Sequence, residues 1–293
     1  MNLAAYNLHK RKTLDRMTGV YTAHMVTIMR HHLKQVSGEF YRSLEAGKAD
    51  FDPAAHGVEE LFGKVLKAHR NYVIKIAVAD GIQEVSPENK LGAWEKFPLG
   101  VPVEKTLSVA LAKKGDTEAD RIAKRFEKKK QKSFYEVLKA QFDQHMGAIK
   151  KAYTEASKDW LSGTGTKADA NMYLQRALKV SEVAAERIIR TETTAHFNDS
   201  RLEYFEANTS VDYVQIFAIT DGRTSEICNT RHGFVVPISE AKKKKYMPPF
   251  HPNCRTVQRP LLSYLSSHKR LIEEGLKMDE RHFAPLPRGW AAA

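Results

Sequence analysis

A long stripe of apolar residues between positions 135 and 160 constrains the fold of this chain more than any other feature of its sequence. The members of the stripe recur every three or four residues, the spacing that places side chains along one face of an α-helix. Thr117, with Asp120 three residues later, is typical of a helix N-terminus. We therefore predict one helix from Thr117 to about Ser162, roughly 70 Å long at 1.5 Å per residue. The stripe consists of Tyr135, Leu138, Phe142, Met146, Ile149, Tyr153, Ala156 and Trp160.

Four further segments have helical patterns and are separated by residues that interrupt helices. A segment rich in proline and glycine, Gly81 to Lys105, is predicted to be a long loop, and Ser162 to Lys167 a flexible linker. The predicted helices run from Leu14 to Leu44, from Val58 to Ala79, from Asp169 to Lys179 and from Ser181 to about Ala207.

The hydrophobic periodicity changes after residue 210. Val211 to Ile219 is β-branched and aromatic and predicts a buried strand, and Phe234 to Ile238 predicts a second one. Thr256 to Leu262 predicts a third strand, whose edge position would tolerate Pro260. The predicted fold class is α+β, with a long, mainly α-helical N-terminal part followed by a small C-terminal α+β module with a short antiparallel sheet. The predicted segments are a helical domain (1–162), a linker and connecting helix (163–180), the module (181–265) and a C-terminal tail (266–293).

The charge of the chain favours a polyanionic partner. It has 47 Lys and Arg residues against 35 Asp and Glu residues, a formal net charge of +12. No apolar run is long enough to span a membrane, and the first twenty residues lack the apolar segment of a secretory signal. Two cysteines cannot stabilise a fold of this size by disulfides, so we expect synthesis and folding in a reducing cytoplasm. We find no Walker-type phosphate loop, dinucleotide glycine pattern, G-x-S-x-G elbow or H-E-x-x-H sequence.

Both cysteines lie in the C-terminal module, each with a histidine nearby. Cys228 precedes His232 by four residues, and His251 precedes Cys254 by three. Two such pairs could form a tetrahedral zinc site, with zinc as the only cofactor that the sequence suggests. Buried reduced cysteines and a Cys228–Cys254 disulfide are the two other interpretations, and the sequence leaves all three open.

Two further segments of the module are a proline-rich loop and a charged turn. The prolines at 248, 249 and 252 restrict the backbone and predict a stiff loop that holds His251 at a fixed angle. Asp221 and Arg223 flank Gly222 at the end of the first predicted strand. These two charged side chains could pair with each other, tie down neighbouring loops by bidentate hydrogen bonds, or form a catalytic pair.

A basic segment follows in the same module. Between residues 241 and 270 there are eight lysines and arginines and no acidic residue, so contact with nucleic acid is at least as well supported as a merely solvated face. The residues predicted to contact DNA are Lys242, Lys243, Lys244, Lys245, Arg255 and Arg259.

Several of these motifs, taken in order, resemble the phage head morphogenesis family, the Mu-F-like minor head proteins of tailed bacteriophages and prophages. The resemblance covers roughly residues 181 to 262. It is carried by residues 190–198 (RTETTAHFN) with Arg201, residues 220–228 (TDGRTSEIC), Gly233, and residues 248–255 (PPFHPNCR). The residues that the family pattern marks are Asp221, Arg223, Cys228, Gly233, Pro249, His251, Pro252, Cys254 and Arg255.

The resemblance implies a structural, non-enzymatic minor capsid protein. Such a protein would lie inside the virion at the portal vertex and assist head assembly or genome delivery. The implied partners are the portal protein, major capsid or scaffold proteins, and the packaged double-stranded DNA. The helical domain (1–162) would contact the portal or the capsid.

The chain departs from the family pattern at two positions. Many members have a cysteine where this chain has Ser225, and another where it has Thr256. A site with four cysteines is therefore excluded here, and His232 is the predicted replacement ligand. The alternative function is a metal-dependent nuclease or other nucleic-acid-processing enzyme that uses His232, His251 and Asn253.

Overall fold

The computed structural model describes residues 3–85, 121–122, 124–125, 131–207 and 210–288. Within these described ranges, four long helices precede a small sheet, as the predicted α+β class requires. The long helices are α1 (Leu3–Glu45), α2 (Val58–Val85), α3 (Gln131–Leu161) and α4 (Lys167–Glu206). They are followed by β1 (Tyr213–Phe217), α5 (Glu226–Asn229), β2 (Val235–Pro237), β3 (Val257–Leu261) and α6 (Ser266–Leu276), with short 3₁₀ turns at Ile238–Glu240 and Glu280–His282.

The chain divides into two compact units, each assembled from separate parts of the sequence. The helical unit contains Thr18–His69 and Lys129–Ile189, and the mixed unit contains Met1–Met17, Arg70–Lys128 and Arg190–Ala293. These units do not coincide with the predicted segments 1–162, 163–180, 181–265 and 266–293. The difference arises because long helices place residues that are far apart in the sequence into one compact unit.

The predicted apolar stripe forms the core of the helical unit. Leu138, Ile149, Tyr153 and Ala156 of α3 are buried there, and Tyr135 at the start of the stripe is exposed. The Tyr153 ring lies 5.3 Å from that of Phe40 and 5.2 Å from that of Phe51, and its hydroxyl donates to the carbonyl of Lys48 (2.8 Å). The stripe is thus confirmed over α3, whereas most of the predicted helix before Gln131 lies outside the described residues.

Two predicted breaks in helices are wrong. Helix α2 continues to Val85, past the predicted loop start at Gly81, and residues 86–105 of that loop lie outside the described residues. Gly81 serves close packing, because a Cβ there would lie 3.2 Å from the ring of Tyr204. Helix α4 is one helix instead of two: the buried Ser181, predicted to start the second helix, lies in its interior.

The linker before α4 ends in a reciprocal cap. The Thr166 amide donates to Asp169 Oδ2 (2.9 Å), and the Asp169 amide donates to Thr166 Oγ1 (3.2 Å). This arrangement satisfies two backbone donors that the first turn of a helix cannot pair internally. The cap explains why the helix starts at Lys167, two residues before the predicted position.

A buried pair of histidines lies in the helical unit. The geometry fits a chain of neutral groups: His32 Nε2 donates to the Ala54 carbonyl (2.6 Å), and His145 Nε2 donates to His32 Nδ1 (3.0 Å). His145 Nδ1 lies 3.1 Å from the Ser181 hydroxyl oxygen, and that hydroxyl donates to the Ala177 carbonyl (2.9 Å). Burial, with a smaller contribution from His32, lowers the pKa of His145 to about 3.

The pair predicts that stability falls in mild acid. Below the ordinary histidine pKa of about 6.5 the unfolded chain takes up a proton that folded His145 refuses until about pH 3. The free energy of unfolding should therefore decrease by up to about 1.4 kcal/mol per pH unit for this group, or about 2 kcal/mol between pH 6.5 and 4.5. Urea unfolding of the full chain at several pH values, compared with His145→Gln, measures this contribution; parallel curves for the two proteins would contradict it.

The sheet of the mixed unit has the strand order β2-β1-β3, and both pairings are antiparallel. Tyr213 of β1 lies opposite Pro237 on one side and opposite Leu261 on the other. All three predicted strands are confirmed, and Pro260 lies on the edge strand β3, where its missing amide donor is tolerated.

The predicted C-terminal tail is instead part of the fold. Ile272 of α6 packs against Val235 of β2 and Leu261 of β3. The buried His268 ring accepts a hydrogen bond from the Leu262 amide at the end of β3 (2.9 Å). The segment after α6 is also held, because the buried Arg231 donates to the Ala284 carbonyl (2.9 Å).

A buried ionic cluster joins α1, α2 and α4 within the mixed unit. Lys10 Nζ contacts Asp80 and lies 2.6 Å from Glu84 Oε1. Arg201 Nε lies 3.0 Å from Asp80 Oδ2, and the same guanidinium contacts Glu84. Both cations are fully buried, so two positive and two negative charges balance away from solvent.

Among the helices that the structure describes, none combines the length and the apolar character needed to cross a bilayer.

Candidate functional site

The first half of the candidate site is the turn between β1 and α5. The Asp221 amide donates to Thr224 Oγ1 (2.8 Å), and the Thr224 hydroxyl donates to the Ile219 carbonyl (2.7 Å). Ser225 then caps α5 by accepting a hydrogen bond from the Cys228 amide (3.3 Å). The short polar side chains of this turn therefore fix where Cys228 lies.

The second half is the proline-rich loop before β3. Its Pro248–Pro249 peptide bond is cis, and Asn253 has a positive φ of 63°. The Asn253 amide donates to Thr191 Oγ1 of α4 (3.1 Å), and the Thr194 hydroxyl donates to the Cys254 carbonyl. Hydrogen bonds to α4 thus hold the loop that carries His251 and Cys254.

An ion pair joins the two halves. The Arg255 guanidinium donates two hydrogen bonds to Asp221, at 2.7 and 2.6 Å. These bonds, opposed by burial and supported by the Arg223 amide, hold the pKa of Asp221 well below its usual range. Of the predicted options, the tie to a neighbouring loop is observed, with Arg255 as the main partner. The pair with Arg223 is also present but longer, with Arg223 mostly exposed and 3.6 Å from Asp221 Oδ2.

The two halves bring together two sulfur atoms and one ring nitrogen. Cys228 Sγ lies 3.1 Å from His251 Nε2 and 3.7 Å from Cys254 Sγ. The ligand atoms of these three residues all lie within 4.8 Å of one another. Ser225 Oγ lies 2.8 Å from His251 Nε2. Both cysteines are free, so the structure contains no Cys228–Cys254 disulfide.

The protonation of the site follows from these contacts. A hydrogen bond from Cys254 lowers the pKa of Cys228 against the effect of burial, and contacts with His251 and Ser225 lower it further. Burial and the neighbouring Cys228 raise the pKa of Cys254. Burial lowers the pKa of His251, but the hydrogen bond and charge of Cys228 outweigh it and raise that pKa overall. Cys228 is therefore the sulfur that loses its proton first.

His232 is not part of this cluster, and its prediction as a fourth ligand is wrong. Its Nδ1 accepts a hydrogen bond from the Ala218 amide (3.1 Å), and its ring lies 5.1 Å from that of Phe217. The imidazole thus accepts the hydrogen bond of a backbone amide just after β1. The alternative function as a nuclease needs His232, His251 and Asn253 together. His232 lies outside the cluster, so the structure does not bring these three residues into one site.

The remaining residues of the family pattern contribute through the backbone, either by its conformation or by its hydrogen bonds. Gly233 has a φ of 90°, which favours glycine, and its amide donates to the Ile216 carbonyl (2.9 Å). The carbonyl of Pro252 accepts a hydrogen bond from His251 Nδ1 (2.6 Å). Pro249 is the residue after the cis bond.

Two of the predicted DNA-contacting residues are buried instead. Arg255 is 7% exposed and is engaged by Asp221. Arg259 is 3% exposed and lies over the ring of Tyr6 at 5.3 Å. Neither guanidinium is presented to a phosphate backbone, because burial in the mixed unit places them in its interior.

The lysines of the basic segment are exposed but mostly paired. Lys242 contacts Glu206, and Lys243 contacts Glu240. Lys245 Nζ lies 2.8 Å from Glu280 Oε2. These carboxylates reduce the local excess of positive charge that the sequence suggests.

Sequence reasoning did not assign a role to Ser225 or Thr256. Both line a small cavity of about 10 Å³ together with Cys228 and His251. A volume of that size accommodates roughly one water molecule. The signal was present in the sequence, because these are the two positions where many members of the resembled family have cysteine.

The comparison with protein families gave a match that covers the candidate site. The model of the Phage Mu protein F like family matches residues 148–259, which include every residue from Asp221 to Arg255 discussed above. Searches of curated proteins and of solved structures gave no match. Residues 148–259, which contain the candidate site, are thus similar to the Phage Mu protein F like family.

Proposed function

We propose that this protein is a minor component of a bacteriophage or prophage head. It would lie inside the capsid at the portal vertex, bind the portal protein and the packaged double-stranded DNA, and assist head assembly or genome delivery. The observation that carries this proposal is the Mu-F-like match, because it spans both loops of the site together with β1 and β2.

A structural role agrees with how the polar groups of the site are used. Asp221 and Arg255 are engaged with each other, and His251 contacts Cys228. The turn and the loop are thereby held together as a clasp, here defined as residues 221–228 and 248–255. A clasp of this kind would stabilise the module, in whose described residues the sheet has three strands.

The test of the proposed location is fractionation of the phage. Tagged full-length protein should co-purify with proheads and mature heads, in far fewer copies than the major capsid protein, and should be captured by the portal protein. Quantitative mass spectrometry of purified heads measures both results. Absence from heads and from portal complexes would overturn the proposal.

DNA contact is the second part of the proposal, and it rests on the net charge of +12. Binding to double-stranded DNA should weaken steeply with salt, because each lysine that contacts a phosphate releases a counterion. Replacing Lys242 to Lys245 by glutamine should reduce the slope of log K against log[salt] by about 0.9 for each such lysine. The matched control is Lys139→Gln, which removes one exposed lysine from the helical unit. An unchanged slope for the quadruple variant would locate DNA contact elsewhere, and salt-independent binding would contradict it.

A further inference from the structure

We propose that Cys228, His251 and Cys254 bind one zinc ion, with a fourth coordination position that is filled by water beside Ser225. The inference concerns the chemistry of the clasp and does not depend on the protein's location in a phage head. It replaces the predicted set of four protein ligands by three.

The spacing of the three ligand atoms fits tetrahedral zinc. With Zn–S bonds of about 2.3 Å and Zn–N bonds of about 2.0 Å, a tetrahedral site places two sulfurs about 3.8 Å apart, and a sulfur and a nitrogen about 3.5 Å apart. The observed Sγ–Sγ distance is 3.7 Å and the Cys228 Sγ–His251 Nε2 distance is 3.1 Å. An ion would therefore need to widen the Cys228 Sγ–His251 Nε2 distance by a few tenths of an ångström, and all three ligand atoms already lie within 4.8 Å of one another.

The surrounding hydrogen bonds already orient the ligands. His251 Nδ1 donates to the Pro252 carbonyl (2.6 Å), which leaves Nε2 as the nitrogen that faces Cys228. Metal-bound histidines commonly make such a bond with their second nitrogen. The Asp221–Arg255 pair and the Thr194 bond to the Cys254 carbonyl fix the two loops that carry the ligands.

The fourth coordination position is assigned from the surroundings of the cluster. The Ser225 hydroxyl lies 2.8 Å from His251 Nε2, and a cavity of about 10 Å³ adjoins both residues. Zinc in proteins is bound by thiolate, imidazole or carboxylate, and a neutral serine is not among these ligands. Among the described residues, the cluster contains no further histidine, cysteine or carboxylate. Three protein ligands and a water are therefore the arrangement that fits.

The binding experiment uses the reduced full-length chain, stripped with a chelator and titrated with zinc against a chromophoric competitor. We expect one zinc per chain and protection of both thiols from alkylation on zinc addition. Cobalt in place of zinc should produce a thiolate-to-metal charge-transfer band with the intensity of two sulfur ligands.

Variants separate ligands from neighbours. Cys228→Ser and His251→Gln should each weaken zinc binding by about 100-fold or more, since loss of a mere outer partner typically costs about 10–100-fold. Ser225→Ala should fall at the weak end of that range. Ser225→Cys should tighten zinc binding and raise the cobalt band to the intensity of three sulfurs. The matched control is His282→Gln, an exposed histidine of the same unit, which should leave the affinity unchanged.

Three results would overturn the inference. They are sub-stoichiometric zinc, thiols that alkylate equally with and without zinc in the native chain, and a Ser225→Cys variant with unchanged affinity and spectrum. The alkylation and Ser225→Cys measurements use folded protein, so they remain decisive if a ligand variant fails to fold.

Discussion

Replacing Asp80 by asparagine should lower the free energy of unfolding by about 3–5 kcal/mol, the usual cost of removing one partner from a buried ionic group. The variant leaves Lys10 and Arg201 facing Glu84 alone, so an uncompensated positive charge stays buried. Both cations are fully buried, and water therefore cannot stabilise this charge as it would at the surface. Urea unfolding followed by circular dichroism measures the loss.

Two comparisons isolate the cause. Asp143→Asn removes the same charge from an exposed pair with Lys139 and should cost no more than about 0.5 kcal/mol. Adding Lys10→Met to Asp80→Asn restores the balance between Arg201 and Glu84, so the double variant should be less destabilised than the sum of the two single variants. Equal losses for Asp80→Asn and Asp143→Asn would show that burial of the cluster does not govern its energetics.

Replacing Gly275 by alanine should destabilise the mixed unit by about 3 kcal/mol, at the upper end of the range for overpacking. A Cβ at this position of α6 would lie 2.2 Å from Val235 Cγ2 and 2.6 Å from the Gly233 carbonyl oxygen. The oxygen belongs to a backbone segment whose amide donates to the Ile216 carbonyl, so it cannot move without disturbing β1. Helix α6 must therefore shift away from β2.

Gly147→Ala is the matched control, since it makes the same change in helix α3. No neighbouring atom lies within 4 Å of a Cβ at position 147, so the higher helix propensity of alanine should stabilise this variant by about 1 kcal/mol. Thermal unfolding of the two variants should therefore shift in opposite directions. A neutral Gly275→Ala variant would mean that α6 does not pack on the sheet as described.

Periodicity and turn chemistry predicted much of the architecture because both are local. The stripe that contains Leu138 and Tyr153 identified the buried face of α3, and the β-branched run around Val214 identified β1. The continuity of α4 was not predicted, because the polar Ser181 suggested a helix start. Its hydroxyl instead faces the buried His145, which no local pattern indicates.

The candidate site was predicted in part. Cys228, His251 and Cys254 were named, and they do converge. His232 was predicted as a metal ligand for the same reason, because it is a ligand-type side chain at suitable spacing. Its ring instead accepts a hydrogen bond from the Ala218 amide. For Asp221 the sequence left open a pair with Arg223 or a tie to a neighbouring loop, and the main ion pair is with Arg255 on the other loop.

Local patterns predicted the buried helix faces, the three strands and the residues from which the clasp is made, because these depend on neighbours only a few positions apart. Which side chains meet became visible only in the folded chain: Lys10 with Asp80, Arg255 with Asp221, and α6 with β2. Burial and charge pairing depend on distance in space, which sequence spacing does not give. Histidines at similar spacing from a cysteine can therefore have different roles, as His251 in the cluster and His232 on the Ala218 amide do.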